Sequence, residues 1–261
     1  MNTFLIILLV VAILTLLLGL IMRRRKRTVI IQPIPDSFRT ILVKDVVFYT
    51  MLDENKKTEF ENRMMHFLST TRITGVKTDI DDKDKVYVSA SAIIPIFGFP
   101  NWQYTNLNEV LLYPDSFNHR FEQTGGERNI LGLVGDGPFN NVMILSRQEL
   151  RQAFLNKTSK TNTAIHEFVH LIDKTDGSVD GIPDFFLNRQ YVLPWLNLIH
   201  KEIKKILSND SDINPYGATN EAEFFAVVAE YFFERPDLLQ TKHPDLYELL
   251  VKIFHQQPVN S

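Results

Sequence analysis

Residues 162–173 read Asn-Thr-Ala-Ile-His-Glu-Phe-Val-His-Leu-Ile-Asp, and no other stretch constrains the fold as much. Ile165, Phe168, Val169 and Ile172 fall at i, i+3, i+4 and i+7, the stripe of a helix that buries one face. His166, His170 and Asp173 form a second stripe roughly a quarter to a third of a turn away. Such a helix packs its apolar stripe into a core and holds two imidazoles one turn apart, able to share one ion. Glu167 lies about 100° around the helix, close enough to face a water on that ion and act as its base. Asp173 either orients a ligand imidazole, caps the helix end, or is simply solvated.

The chain has no cysteine, which excludes disulfides, thiol catalysis and thiolate-bound metal. A zinc site here must use histidine and carboxylate. Catalytic zinc takes three protein ligands and keeps one position open, whereas structural sites are usually closed. The third candidate lies in residues 214–234 (NPYGATNEAEFFAVVAEYFFE). Asn220 is suited to cap a helix starting at Glu221. Phe224, Phe225, Val227, Val228 and residues 231–233 make most of its faces apolar, so the helix is expected to be buried. Glu223 and Glu230 are buried with it, and an unpaired buried carboxylate is costly. A metal removes that cost for Glu223. Glu230, seven residues on and on the same face, either orients a ligand or pairs with a cation.

Residues 4–22 are apolar apart from Thr15 and Gly19. As a helix at roughly 1.5 Å per residue the run nears 30 Å, the thickness of a bilayer's hydrocarbon core. A cleaved signal peptide fits poorly, because the three residues before the run carry no charged side chain and no small-residue cleavage site follows it. Five basic residues, Arg23 to Arg27, come next, and cationic flanks stay in the cytoplasm. Taking these five from the 28 Lys and Arg leaves 23 against 31 Asp and Glu. The remainder is acidic, which argues against a nucleic-acid surface.

Elsewhere the pattern is that of an ordinary mixed domain. Asp53 is expected to cap a helix running towards Leu68, with Phe60, Met64, Phe67 and Leu68 facing the core. Residues 79–85 (DIDDKDK) read as a solvated charged turn, and 86–99 as a buried helix. Residues 109–113 and 141–145 read as strands, and Ser146 with Glu149 as a capping box before another helix.

Residues 166–173 (HEFVHLID) and 216–226 (YGATNEAEFFA) closely resemble the catalytic domain of anthrax toxin lethal factor, a zinc metallopeptidase of the zincin fold. Residues 41–258 resemble the Mlc titration factor family of bacterial zinc-dependent peptidases. That likeness runs through 109–117 (EVLLYPDSF), the histidine helix, Gly181-Ile182-Pro183 and 223–233 (EFFAVVAEYFF). The resemblance implies His166, His170 and Glu223 as metal ligands, Glu167 as catalytic glutamate and Tyr216 as an oxyanion stabiliser. It also implies aminopeptidase activity on small substrates and sequestration of a transcriptional repressor. With the apolar run at 4–22, the alternative for this chain is a membrane tether that binds and sequesters a transcriptional regulator, with weak or regulated peptidase activity. The characterised Mlc-related member shows no equivalent of the N-terminal span.

The expectation is therefore an α+β, zincin-like peptidase domain at 36–261, behind one transmembrane helix at 1–22 and a basic juxtamembrane linker at 23–35. It should hold one Zn2+ per chain and hydrolyse a peptide or protein substrate with a zinc-activated water. The chain should touch the lipid bilayer through residues 4–22 and bind no nucleic acid. It should sit single-pass in the inner (cytoplasmic) membrane with the catalytic domain in the cytoplasm.

Overall fold

The computed structural model describes residues 32–118, 130–135, 140–183 and 185–258. The expected span at 4–22 lies outside these residues. Among the described residues no helix is long and apolar enough to cross a membrane. From Pro33 onward the chain forms one compact, mixed α+β unit, mostly helical around a small sheet.

Helix α1 (Asp36–Asp45) leads into α2 (Glu54–Thr70), whose N-cap Asp53 accepts from the Lys56 N–H as its sequence predicts. Strand β1 (Arg72–Gly75), α3 (Asp82–Ile96) and β2 (Glu109–Tyr113) form a β-α-β crossover, and β1 pairs with β2 in parallel. Helix α3 is buried on every side and packs against α1, α2 and the later helices. Pro95 falls in its last turn, after which the helix ends.

Residues 79–85 depart from expectation. The helix begins inside the acidic run, and Asp81 and Asp84 make a reciprocal capping box. Asp84 is fully buried rather than solvated. Its carboxylate meets Arg147 Nε at 2.9 Å and Arg151 Nε at 2.8 Å, so two guanidinium groups offset its desolvation.

Strands β3 (Gly132–Val134) and β4 (Val142–Ser146) complete a sheet of order β1-β2-β4-β3. Strand β4 pairs in parallel with β2, while β3 runs antiparallel to it, with Gly132 opposite Leu145. Strand β3 is thus an edge. Ser146 caps α4 (Arg147–Leu155) by accepting from the Glu149 N–H. There follow α5 (Thr163–Asp173), α6 (Arg189–Leu207), α7 (Glu221–Glu234), α8 (Pro236–Lys242) and α9 (Pro244–Phe254). The apolar stripe of α5 is fully buried, and α5 packs against α3, α7 and β3.

Candidate metal centre

Two helices build the site. Helix α5 starts at Asn162, whose side chain accepts from the Ile165 N–H. It turns His166, Glu167 and His170 away from the Ile165–Phe168–Val169–Ile172 core face. Helix α7 starts at Asn220, which accepts from the Glu223 N–H and so fixes the turn that carries that carboxylate. Nearly all of α7 is buried, but Glu223 itself is only partly so.

The two helices bring three atoms together. Glu223 Oε2 lies 3.0 Å from His166 Nε2, and the two histidine Nε2 atoms are also 3.0 Å apart. His170 Nε2 and Glu223 Oε2 stand 3.5 Å apart. Ligand atoms about 2.0–2.1 Å from a tetrahedral ion lie about 3.3 Å from one another, so this triangle suits one zinc-sized cation. Two imidazoles and one carboxylate are also the donor chemistry that zinc accepts.

Glu230 sits behind His166. Its Oε1 is 2.7 Å from His166 Nδ1, and its Oε2 accepts from the Asn162 N–H at 2.6 Å. This contact fixes the ring so that Nε2 faces the ligand triangle. Glu234, one turn further on, accepts from Asn162 Nδ2 at 2.7 Å. Both roles open to Glu230 in the sequence meet in one contact: it orients the His166 imidazole and, while that ring is protonated, pairs with its charge. Asp173 is buried, and its Oδ2 accepts from the Gly181 N–H at 2.8 Å, so the solvated reading is overturned.

The electrostatics follow from this packing. Burial works against a charge on His166, but the bonds to Glu223 and Glu230 outweigh it and push its pKa up to about 10. Burial likewise works against the Glu223 carboxylate, yet the two histidines hold it at about 2. Glu167 goes the other way. Its burial raises it above the ordinary range, with the His166 and His170 charges opposing. Tyr216 lies in a 3₁₀ turn (Pro215–Ala218) opened by Asn214, and its ring stays 53% exposed. The ring centroid is 6.0 Å from that of His166. Partial burial and the neighbouring Glu223 and Glu167 charges raise its phenol.

His166, Glu167 and Tyr216 line a cavity of about 470 Å³ together with Ile130 to Leu133. Gly132 was not singled out by sequence, yet a Cβ there would lie 2.6 Å from Glu167 Cγ and 2.7 Å from its Oε1. The edge strand therefore rests directly on the glutamate. A single glycine in a three-residue strand gives no periodic signal, and only the assembled sheet reveals its place.

A family model described as glucose-regulated metallo-peptidase M90 matches residues 20–255. The chain belongs to this metallopeptidase family. Relatives of this M90 chain include Mlc titration factor A of Escherichia coli, 25% identical over 223 residues, covering 80% of this chain and 83% of that one. The protein of the same name from Serratia proteamaculans is 32% identical over 168 residues, 58% of this chain and 61% of that one. An uncharacterized protein of Synechocystis is 28% identical over 239 residues, 87% of this chain and 86% of that one. The Mlc-related resemblance is thus a family membership, and a metallopeptidase family agrees with a metal-sized triangle of donors. The likeness to lethal factor rests on the two motifs alone.

Proposed function

We propose that this M90 chain is a zinc-dependent peptidase. The observation that carries the reading is the convergence of His166 Nε2, His170 Nε2 and Glu223 Oε2 within 3.5 Å, beside a buried Glu167 on a cavity wall. Zinc held there supplies a Lewis acid that lowers the pKa of a water and polarises a carbonyl. Glu167 takes the proton from the attacking water, and burial raises its proton affinity above that of an ordinary carboxylate, which favours this role. It later passes that proton to the leaving amine. The Tyr216 O–H donates to the carbonyl oxygen as negative charge builds on it. Strand β3 is the edge of the sheet among the described residues, and an extended peptide would bind along it by adding a strand.

The subclass we favour is an aminopeptidase acting on short peptides. Glu149, also on the cavity wall, makes no ion pair among the described residues and suits a substrate's terminal ammonium. The purified chain, incubated with a peptide library, should cleave it, and a chelator should stop the reaction. N-acetylated copies of the same peptides should resist. Cleavage of both sets alike would make the enzyme an endopeptidase. Elemental analysis should find about one zinc per chain, and much less in His170→Ala and Glu223→Ala. Glu167→Gln should keep its zinc and lose at least about a hundredfold in turnover. Near-normal turnover in that variant would move the base elsewhere.

A second reading rests on the relatives named Mlc titration factor A: the chain binds and titrates a transcriptional regulator. A pull-down with metal-free protein separates the two, since a tether has no need of zinc. For location we propose a single-pass anchor at residues 4–22 with the catalytic domain in the cytoplasm, supported by the basic run from Arg23 to Arg27. A reporter fused at Ser261 reads the compartment, and a periplasmic signal would refute this topology.

A further inference from the structure

The two ligand histidines differ behind their rings. His166 Nδ1 has Glu230 at 2.7 Å. His170 Nδ1 is buried and has no hydrogen-bond partner. A neutral imidazole that offers Nε2 to a metal carries its proton on Nδ1, so this atom becomes a buried donor in need of an acceptor. Asp173 Oδ1 is buried and equally without a partner. The residues are three apart on α5, hence on neighbouring positions of one face. Helical side chains lean towards the preceding turn, which directs the Asp173 carboxylate back over His170.

We propose that Asp173 is the positioning residue for His170. Oδ1 accepts the His170 Nδ1–H when the metal is bound, while Oδ2 keeps its bond to the Gly181 N–H. The second bond gives the contact reach. Gly181 O accepts from Trp195 Nε1 at 2.7 Å, and Gly181 lies against the first turn of α7, where a Cβ would stand 2.3 Å from Glu221 O. Gly181 also has φ +77°, which further favours glycine. Asp173 thereby joins the orientation of the second ligand to the placement of the helix bearing the third. Only a carboxylate serves both donors, because an amide must turn its NH2 towards one of them. Asn106 Oδ1 is the competing acceptor, being also buried and unpartnered. Its Nδ2, however, is bound to Leu171 O at 3.0 Å, so Asn106 caps the helix end one residue away from His170.

This inference rests on the zinc reading, and the test separates the two. Wild type and Asp173→Ala are titrated with zinc against a chelating dye, and the metal-free forms are melted. The Asp173→Ala dissociation constant should rise about 10- to 100-fold. Trp195→Phe loosens the same loop without touching His170, and its affinity should stay within about threefold of wild type. Imidazole 15N spectra of zinc-loaded wild type should show the His170 Nδ1 proton protected from exchange. Asp173→Ala should lose that protection, and Asn106→Ala should keep it. Unchanged affinity in Asp173→Ala overturns the role, as does equal weakening in Trp195→Phe. If Asp173→Ala does not fold, the wild-type spectrum decides, and a freely exchanging or absent Nδ1 proton overturns it. A wild type that takes up no zinc defeats the metal reading and this one together.

Discussion

His166 sits between the Glu223 and Glu230 carboxylates, and the bonds to both raise its pKa to about 10, so that the metal-free ring holds a proton at neutral pH. A metal must displace that proton. Below the folded value of about 10 the metal-free ring is protonated, so zinc binding releases about one proton and tightens as pH rises. The expected gain is about tenfold per pH unit between 7 and 9, flattening above 10. Calorimetry at pH 8 in two buffers of different ionisation enthalpy measures the proton directly, and zero release would mean that the metal-free His166 ring is already neutral at that pH. Tyr216 makes a different kind of prediction. Tyr216→Phe keeps the ring and removes one donor, so kcat should fall about a hundredfold or more while KM moves little. Steady-state kinetics beside a thermal melt checks this, and a raised KM with unchanged kcat would assign the tyrosine to substrate binding. The pairing of His166 with His170 was legible because their spacing on one helix is a local property, while Glu223, which joins them from a second helix, was signalled by its place in an apolar helix and by the family resemblance. Whether Asp173 and Glu230 act on the ligands was not legible, because that depends on which neighbours the fold brings to them. Nothing in the sequence shows that Glu230 reaches the Asn162 N–H, 68 positions away.

The elements followed the same division. Helices α2 and α7 and strands β2 and β4 stand within a residue or two of where periodicity and caps put them, since each signal lies within one segment, whereas α3 begins four residues before the expected start at 86. The acidic run at 79–85 misled because its partners, Arg147 and Arg151, come from a distant helix. Strand β3 left no trace in the pattern, being three residues long and half-buried. Its weight in the site is nonetheless testable. Gly132→Ala forces a methyl to within 2.7 Å of the Glu167 carboxylate, so either the strand or the base must shift. Turnover should fall by tenfold or more while zinc content holds, since the three ligands are not displaced. Kinetics with metal analysis reads both. Full activity in Gly132→Ala would mean that β3 yields without cost.

At the scale of the molecule, helix α3 lies between the helices that carry the ligands and those that open the chain, so the site rests on a core continuous from α1 to α9. Because the unit from Pro33 onward has its own core, a chain lacking residues 1–32 should melt within a few degrees of the full chain. It should also cleave soluble peptides at the same rate, as calorimetry and kinetics on the two forms will check. A loss of fold would show that the N-terminal residues belong to the core. The contact between Gly132 and Glu167 has a consequence for folding itself. If β3 slips by one residue against β4, Leu131 or Leu133 takes the position of Gly132, and either side chain drives Glu167 aside. On the peptidase reading, a molecule mispaired in this way should be inactive despite a nearly native shape, so the active fraction of a refolded sample should fall short of the folded fraction by at least the share of slipped sheets.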